Sequence, residues 1–249
     1  MIKITIPWQW KFGMLLICCS LIIYSIKLIT IDNLKGTIEY IFNSFGFLFI
    51  NVLMVTLFIN ELLSIRAKKQ RLEKMNMVIG LFYTESGTRL LSLLISWDRN
   101  RGELEKVMNI NIHSAPPVQV MQKAIHDHTF SLNPRETGLF ELNKFLYQHR
   151  DFLLRILENP VLLEHQQFTG LMQATFHLTE KLSRREDLVN IGDADLKHLT
   201  GDCIRVLTLL SIEWISYIVH LERNYPYLYS LAVRTSPFNP LAKAAVNSY

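Results

Sequence analysis

Apolar positions fall into two regimes along this chain. Between residues 12 and 63 they are nearly continuous, broken by one short polar turn, and from residue 66 onward they recur at helical spacing among charged and polar neighbours. Residues 12–31 supply about 20 mostly apolar positions, enough to cross a hydrocarbon core as a helix rising about 1.5 Å per residue. Residues 41–63 supply a second such run. The intervening turn carries Asn33, Gly36 and one lysine, Lys35, whereas Lys3 and Lys11 precede the first run and Arg66-Ala67-Lys68-Lys69-Gln70-Arg71 follows the second. By the positive-inside rule this pattern predicts a two-helix transmembrane hairpin with both termini cytoplasmic. Trp8 and Trp10 suit the water-lipid interface, and no small-residue cleavage pattern supports a signal peptide.

Polar side chains inside the second run need partners, because an unpaired amide in lipid is costly. Ser44 and Asn51 are seven residues apart and share one helical line, which predicts a polar membrane face. Contact with the first helix or with another subunit is the plain reading of that face, and a pore lining in an oligomer is the sharper one.

Beyond the collar the helical period continues through Leu72, Met75, Val78, Ile79 and Phe82 to Leu90, Leu94 and Trp97, with Gly80 and Gly87 as places to bend. Residues 98–117 read as a connection and 118–128 as a short helix. Leu139, Leu142, Phe145, Leu146, Phe152, Leu153 and Ile156 form one stripe, ended by Asn159-Pro160, and a further helix should then run to about Arg185. Residues 187–195 read as a loop and 196–223 as a central core helix, because Arg205, Glu213 and His220 disfavour a third span. The proline- and tyrosine-rich end reads as an irregular tail. No strand pattern appears. The expected fold is all-α: a hairpin in residues 1–65, then a cytoplasmic helical bundle in residues 66–249.

Composition narrows the function classes. The net charge of +4 comes without a long basic stripe interleaved with aromatics, so nucleic-acid binding is not expected. Cys18, Cys19 and Cys203 give neither a metal spacing nor a disulfide framework. HExxH, CxxC, GxSxG and glycine-rich phosphate loops are absent, and nothing assigns a catalytic residue or a cofactor. Histidine is the one residue type that invites a site. His149 and His165 fall on the apolar stripes of consecutive helices, and Glu213 and His220 share a face seven residues apart, so a four-ligand metal or haem site can be drawn from them. Core histidines held by hydrogen bonds are the plainer reading.

The sequence therefore predicts an integral protein of the plasma (inner) membrane, multi-pass and homo-oligomeric. Its cytoplasmic bundle would serve as a non-enzymatic scaffold, signalling or assembly module. Its partners would be the lipid bilayer and a protein docked through the bundle or the C-terminal tail. A channel built on Ser44 and Asn51, and a redox bundle built on the inward histidines, are the alternatives.

Overall fold

The computed structural model describes residues 14, 17–18, 21–23, 25–27, 29, 34–108, 116–134 and 137–239. The expectations placed on Trp8, Trp10, Cys19, much of the first apolar run and the last ten residues lie outside them. Among the described residues the chain is all-α, with no strand beyond one isolated antiparallel bridge between Asp98 and Leu132. Its internal contacts divide it into two units, Met1–Ala67 and Lys68–Tyr249.

In the first unit the described residues between 14 and 29 are helical. Helix α1 spans Leu34–Phe82. No proline interrupts it, and its apolar side chains from Tyr40 to Ile65 are exposed on every face. Lys27 holds its ammonium 4.6 Å from the centre of the Tyr40 ring, a cation-π contact between the first apolar run and α1. Among the described residues, two helical stretches are long and apolar enough to cross a membrane. One is Lys35–Ile95, whose most apolar window is wholly unburied, and the other is Asp193–Asn224, whose window is half buried.

The second unit is a bundle around that latter helix, α9 (Asp193–Asn224). Leu199, Cys203, Val206, Leu210, Trp214 and Ile218 recur along it at three- and four-residue spacing and are all buried. Asp193 and Asp195 sit in its first turn, where carboxylates suit the helix dipole, and Arg185 grips Asp195 through two nitrogens at 2.5 Å. Around α9 pack α2 (Thr88–Ile95), α4 (Val118–Asp127), α8 (Gln166–Ser183) and α10 (Pro226–Arg234), with α5 (Gly138–Gln148) against α8.

Several boundaries differ from the periodicity. The connection at 98–117 contains a short helix, α3 (Arg101–Val107). The stripe over 139–157 is two helices, α5 and α6 (Arg150–Leu157), which meet at His149. Its imidazole Nδ1 bonds the Phe145 carbonyl at 2.8 Å, which competes with the regular backbone ladder. Likewise the expected helix after Pro160 is a short turn, α7 (Pro160–Leu163), followed by α8, because His165 caps α8 with its side chain. The tail is less irregular than expected. Pro226 starts α10 in the position where its missing N–H costs nothing, and Phe238 then folds back, fully buried, onto Trp214 with ring centres 5.2 Å apart.

Candidate functional site

Phe82 and Tyr83 are consecutive and both buried. A π-turn over Tyr83–Gly87 joins α1 to α2. At its start Tyr83 lies in the core, where its hydroxyl donates to the Leu210 carbonyl at 2.8 Å and its ring stacks on Tyr217 at 4.9 Å. Gly87 makes room for this. A Cβ there would stand 2.5 Å from the Phe82 ring and 2.9 Å from the Tyr83 ring.

Glu213 lies beside this π-turn, buried to 2% exposure, and its Oε1 has no hydrogen-bond partner. His165 Nδ1 stands 3.8 Å from it. That distance exceeds a hydrogen bond, and the same nitrogen already accepts the Phe168 N–H at 3.0 Å. Burial pushes the Glu213 carboxyl up to about 7, and burial also lowers His165, against the opposing effect of its backbone hydrogen bond. Burial thus holds each group toward its neutral form. Tyr83 is raised well above the usual tyrosine value, first by burial and then by the Glu213 charge.

The Tyr83–Tyr217 stack links this buried carboxyl to an open groove on the bundle surface. Tyr217, Met77 and Leu81 of α1 and Leu228 of α10 are among the residues that line it, around about 730 Å³. At one end His220 Nδ1 accepts from the amides of Asn76 at 3.0 Å and Asn224 at 3.1 Å. Two donors on one ring nitrogen fix the neutral tautomer that carries its proton on Nε2. Burial lowers His220 as well, in the same sense.

The four histidine and glutamate ligands drawn from the sequence are not assembled. His165 and Glu213 approach each other, whereas His149 is spent on its own helix end and His220 faces the groove. Among the described residues no three His, Cys, Asp or Glu side chains converge in a way that could hold a metal. Cys203 is buried and its thiol pushed up to about 12, so it packs as a small apolar group. Ser44 and Asn51 both lie on α1, and neither side chain hydrogen-bonds another described residue.

Sequence reasoning missed the Asp98–His128 pair. The two side chains meet at 2.7 Å, all but excluded from solvent, and Asp98 also accepts the Ser131 N–H at 2.8 Å. Thirty residues separate the partners, and no local spacing announces the contact.

Comparison with known proteins gives a family without an activity. Residues 71–234 match the model described as Uncharacterized protein MJ1433, C-terminal helical domain, and residues 3–63 match the model described as MJ1433, N-terminal helical domain. The Uncharacterized protein MJ1433 of Methanocaldococcus jannaschii is 39% identical over 225 residues, which cover 90% of each chain. No solved structure matches. On the length of these matches, the chain belongs to the family of helical proteins represented by MJ1433.

Proposed function

We propose that this chain is a membrane-anchored assembly protein. A transmembrane hairpin formed by residues 12–31 and 41–63 keeps both termini cytoplasmic in the plasma membrane, and the helical bundle after residue 66 serves as a non-enzymatic docking or scaffolding module, assembled as a homo-oligomer.

One observation carries the reading: the apolar side chains of α1 from Tyr40 to Ile65 are exposed all round the helix. Isolated surface leucines are ordinary in water-soluble proteins, but a helix apolar on all faces over more than twenty residues is stable in hydrocarbon and not in water. The single lysine of the turn against the collar Arg66, Lys68 and Lys69 supports the orientation. Within the bundle, exposed Met77, Leu81, Tyr227 and Leu228 support docking rather than catalysis.

Alkaline extraction of membranes tests the anchor. The full chain is expected to stay with the lipid, and release into the aqueous phase would overturn the hairpin. Mass measurement of the detergent-solubilised protein tests assembly, for which a strict monomer with no co-purifying partner is the adverse result.

A further inference from the structure

We propose that His165 is an acid-sensitive latch. Its neutral ring caps α8 where that helix docks on α1, and protonation of Nδ1 removes the cap and opens the first turn of α8.

The geometry of the cap dictates the chemistry. His165 is the extended residue that precedes α8; its carbonyl accepts the Thr169 N–H at 2.9 Å and its ring Nδ1 accepts the Phe168 N–H at 3.0 Å. A ring nitrogen that accepts from an amide carries no proton, so the neutral ring holds its hydrogen on Nε2. The next proton has one place to go, which is Nδ1. Protonation therefore turns the capping acceptor into a donor that faces another donor. Asparagine or serine would cap at every pH, whereas an imidazole makes the cap conditional.

A receiver for the displaced ring stands alongside. Glu213 Oε1 lies 3.8 Å from Nδ1, and an approach of about 0.8 Å brings the protonated ring into ordinary hydrogen-bond range. Burial lowers His165 from the ordinary histidine value, so the capped form is fully present above that range and is lost as the pH falls through the folded value. The other titratable groups around α8 are accounted for. Tyr83 on the π-turn is raised by burial and by Glu213 and stays protonated, and Glu164 at the end of α7 is bonded to Arg71. Arg150 of α6 shares a cleft with His177 and Glu180 in the second half of α8, and Glu141 and Lys144 of α5 line a separate cleft with Arg89 of α2.

The same turn is where α8 meets α1. Phe168, fully buried, sets its ring edge-on to Phe82 with centres 5.3 Å apart, and Glu164, the residue before the cap, bonds Arg71 at 3.2 Å. Opening this turn loosens the bundle at its junction with α1.

Hydrogen exchange of the full-length protein in neutral detergent, read by mass spectrometry from about pH 8 to about pH 4.5, provides the test, each segment being scaled to the unstructured chain at the same pH. In the parent, protection over residues 167–171 should fall about tenfold more than over residues 203–210 of α9 as the pH drops, the change expected from the loss of one N-cap. His165→Asn should keep the high-pH protection throughout, and His165→Ala should show the low protection already at about pH 8. Glu213→Gln leaves the histidine to titrate and should keep the loss. A parent without the differential loss, the same loss in His165→Asn, or its disappearance in Glu213→Gln would overturn the proposal, the last by assigning the effect to the carboxyl. Thermal melting at about pH 8 checks the fold of each variant. Should His165→Ala fail to fold, the parent profile and His165→Asn, which retains a capping acceptor, still decide.

Discussion

His165 Nδ1 faces Glu213 Oε1 across 3.8 Å, yet that nitrogen is occupied by the Phe168 N–H, so a buried carboxyl and a half-buried imidazole confront each other without a hydrogen bond. The energetic consequence is a stability that depends on pH with a definite sign. Folded Glu213 keeps its proton up to about 7, whereas the unfolded chain releases it near 4.5. Between those values the folded state binds more protons, so the stability of the neutral carboxyl is fully present below 4.5 and is lost as the pH rises through about 7. The shift corresponds to about 3 kcal/mol. His165 works in the opposite sense, since its lowered value gives stability above the ordinary histidine range that is lost as the pH falls through the folded value.

Comparing Glu213→Gln with the parent isolates the carboxyl from His165, and from Tyr83, whose hydroxyl it affects from beside the π-turn. The amide should make the protein more stable than the parent at about pH 8 and confer little or no advantage near pH 5, read by thermal melting. A stability gap of equal size at both pH values would show that Glu213 ionises normally in the fold.

Gly87 supplies a second prediction, about the π-turn. Gly87→Ala should cost about 1–3 kcal/mol, because the new methyl meets the Phe82 and Tyr83 rings at under 3 Å and both rings are fully packed. Gly201→Ala on α9 is the control. Nothing lies within 4 Å of a Cβ there, and alanine in a helix should stabilise by about 0.5–1 kcal/mol. Chemical denaturation of the two variants should shift in opposite directions, and two shifts of the same sign would remove the special role given to the π-turn.

Asp98 anchors the chain between α2 and α4 in the same way that a cap anchors a helix. It satisfies the His128 ring and the Ser131 N–H, and it accepts from the Asn100 N–H at 3.3 Å. Asp98→Ala leaves the buried ring and a backbone donor without partners, which should cost about 3 kcal/mol or more. Asp98→Asn keeps an acceptor oxygen and should cost distinctly less. Equal losses from the two substitutions in denaturant titrations would mean that packing, not hydrogen bonding, holds this corner.

These positions also mark what the sequence made legible. The apolar period correctly placed Met75, Ile79, Phe82, Leu142, Phe168, Leu178 and the central helix in the core, because burial of one helical face leaves a local record. It did not show the helix breaks at His149 and His165, since period alone does not register an imidazole that bonds its own helix end or caps the next one. Tyr83 was hidden by the assumption of regular turns; the adjacent apolar pair Phe82-Tyr83 with Gly87 nearby was the available hint. The His220 donor and the Asp98–His128 pair depend on partners many residues away, for which no spacing rule exists.

Orientation provides the last prediction, because the proposed hairpin makes the collar a determinant of topology. Arg66, Lys68 and Lys69 oppose a turn with only Lys35, and the rule that basic flanks stay cytoplasmic acts through that difference. Replacing the three collar residues by glutamine while adding two lysines beside Gly36 should reverse or erase the bias. Arg71 is left intact, since it bonds Glu164 at 3.2 Å and its loss would perturb the bundle as well. Single cysteines at Gly36 and at Gln70, in a chain with Cys18, Cys19 and Cys203 replaced, report the outcome through a membrane-impermeant thiol reagent on intact cells. In the parent the reagent should reach position 36 and not position 70, and in the recharged variant that difference should shrink or invert. Labelling of both positions alike in the parent would mean that residues 41–63 do not cross the bilayer, and the exposed apolar face of α1 would then need a protein partner to cover it.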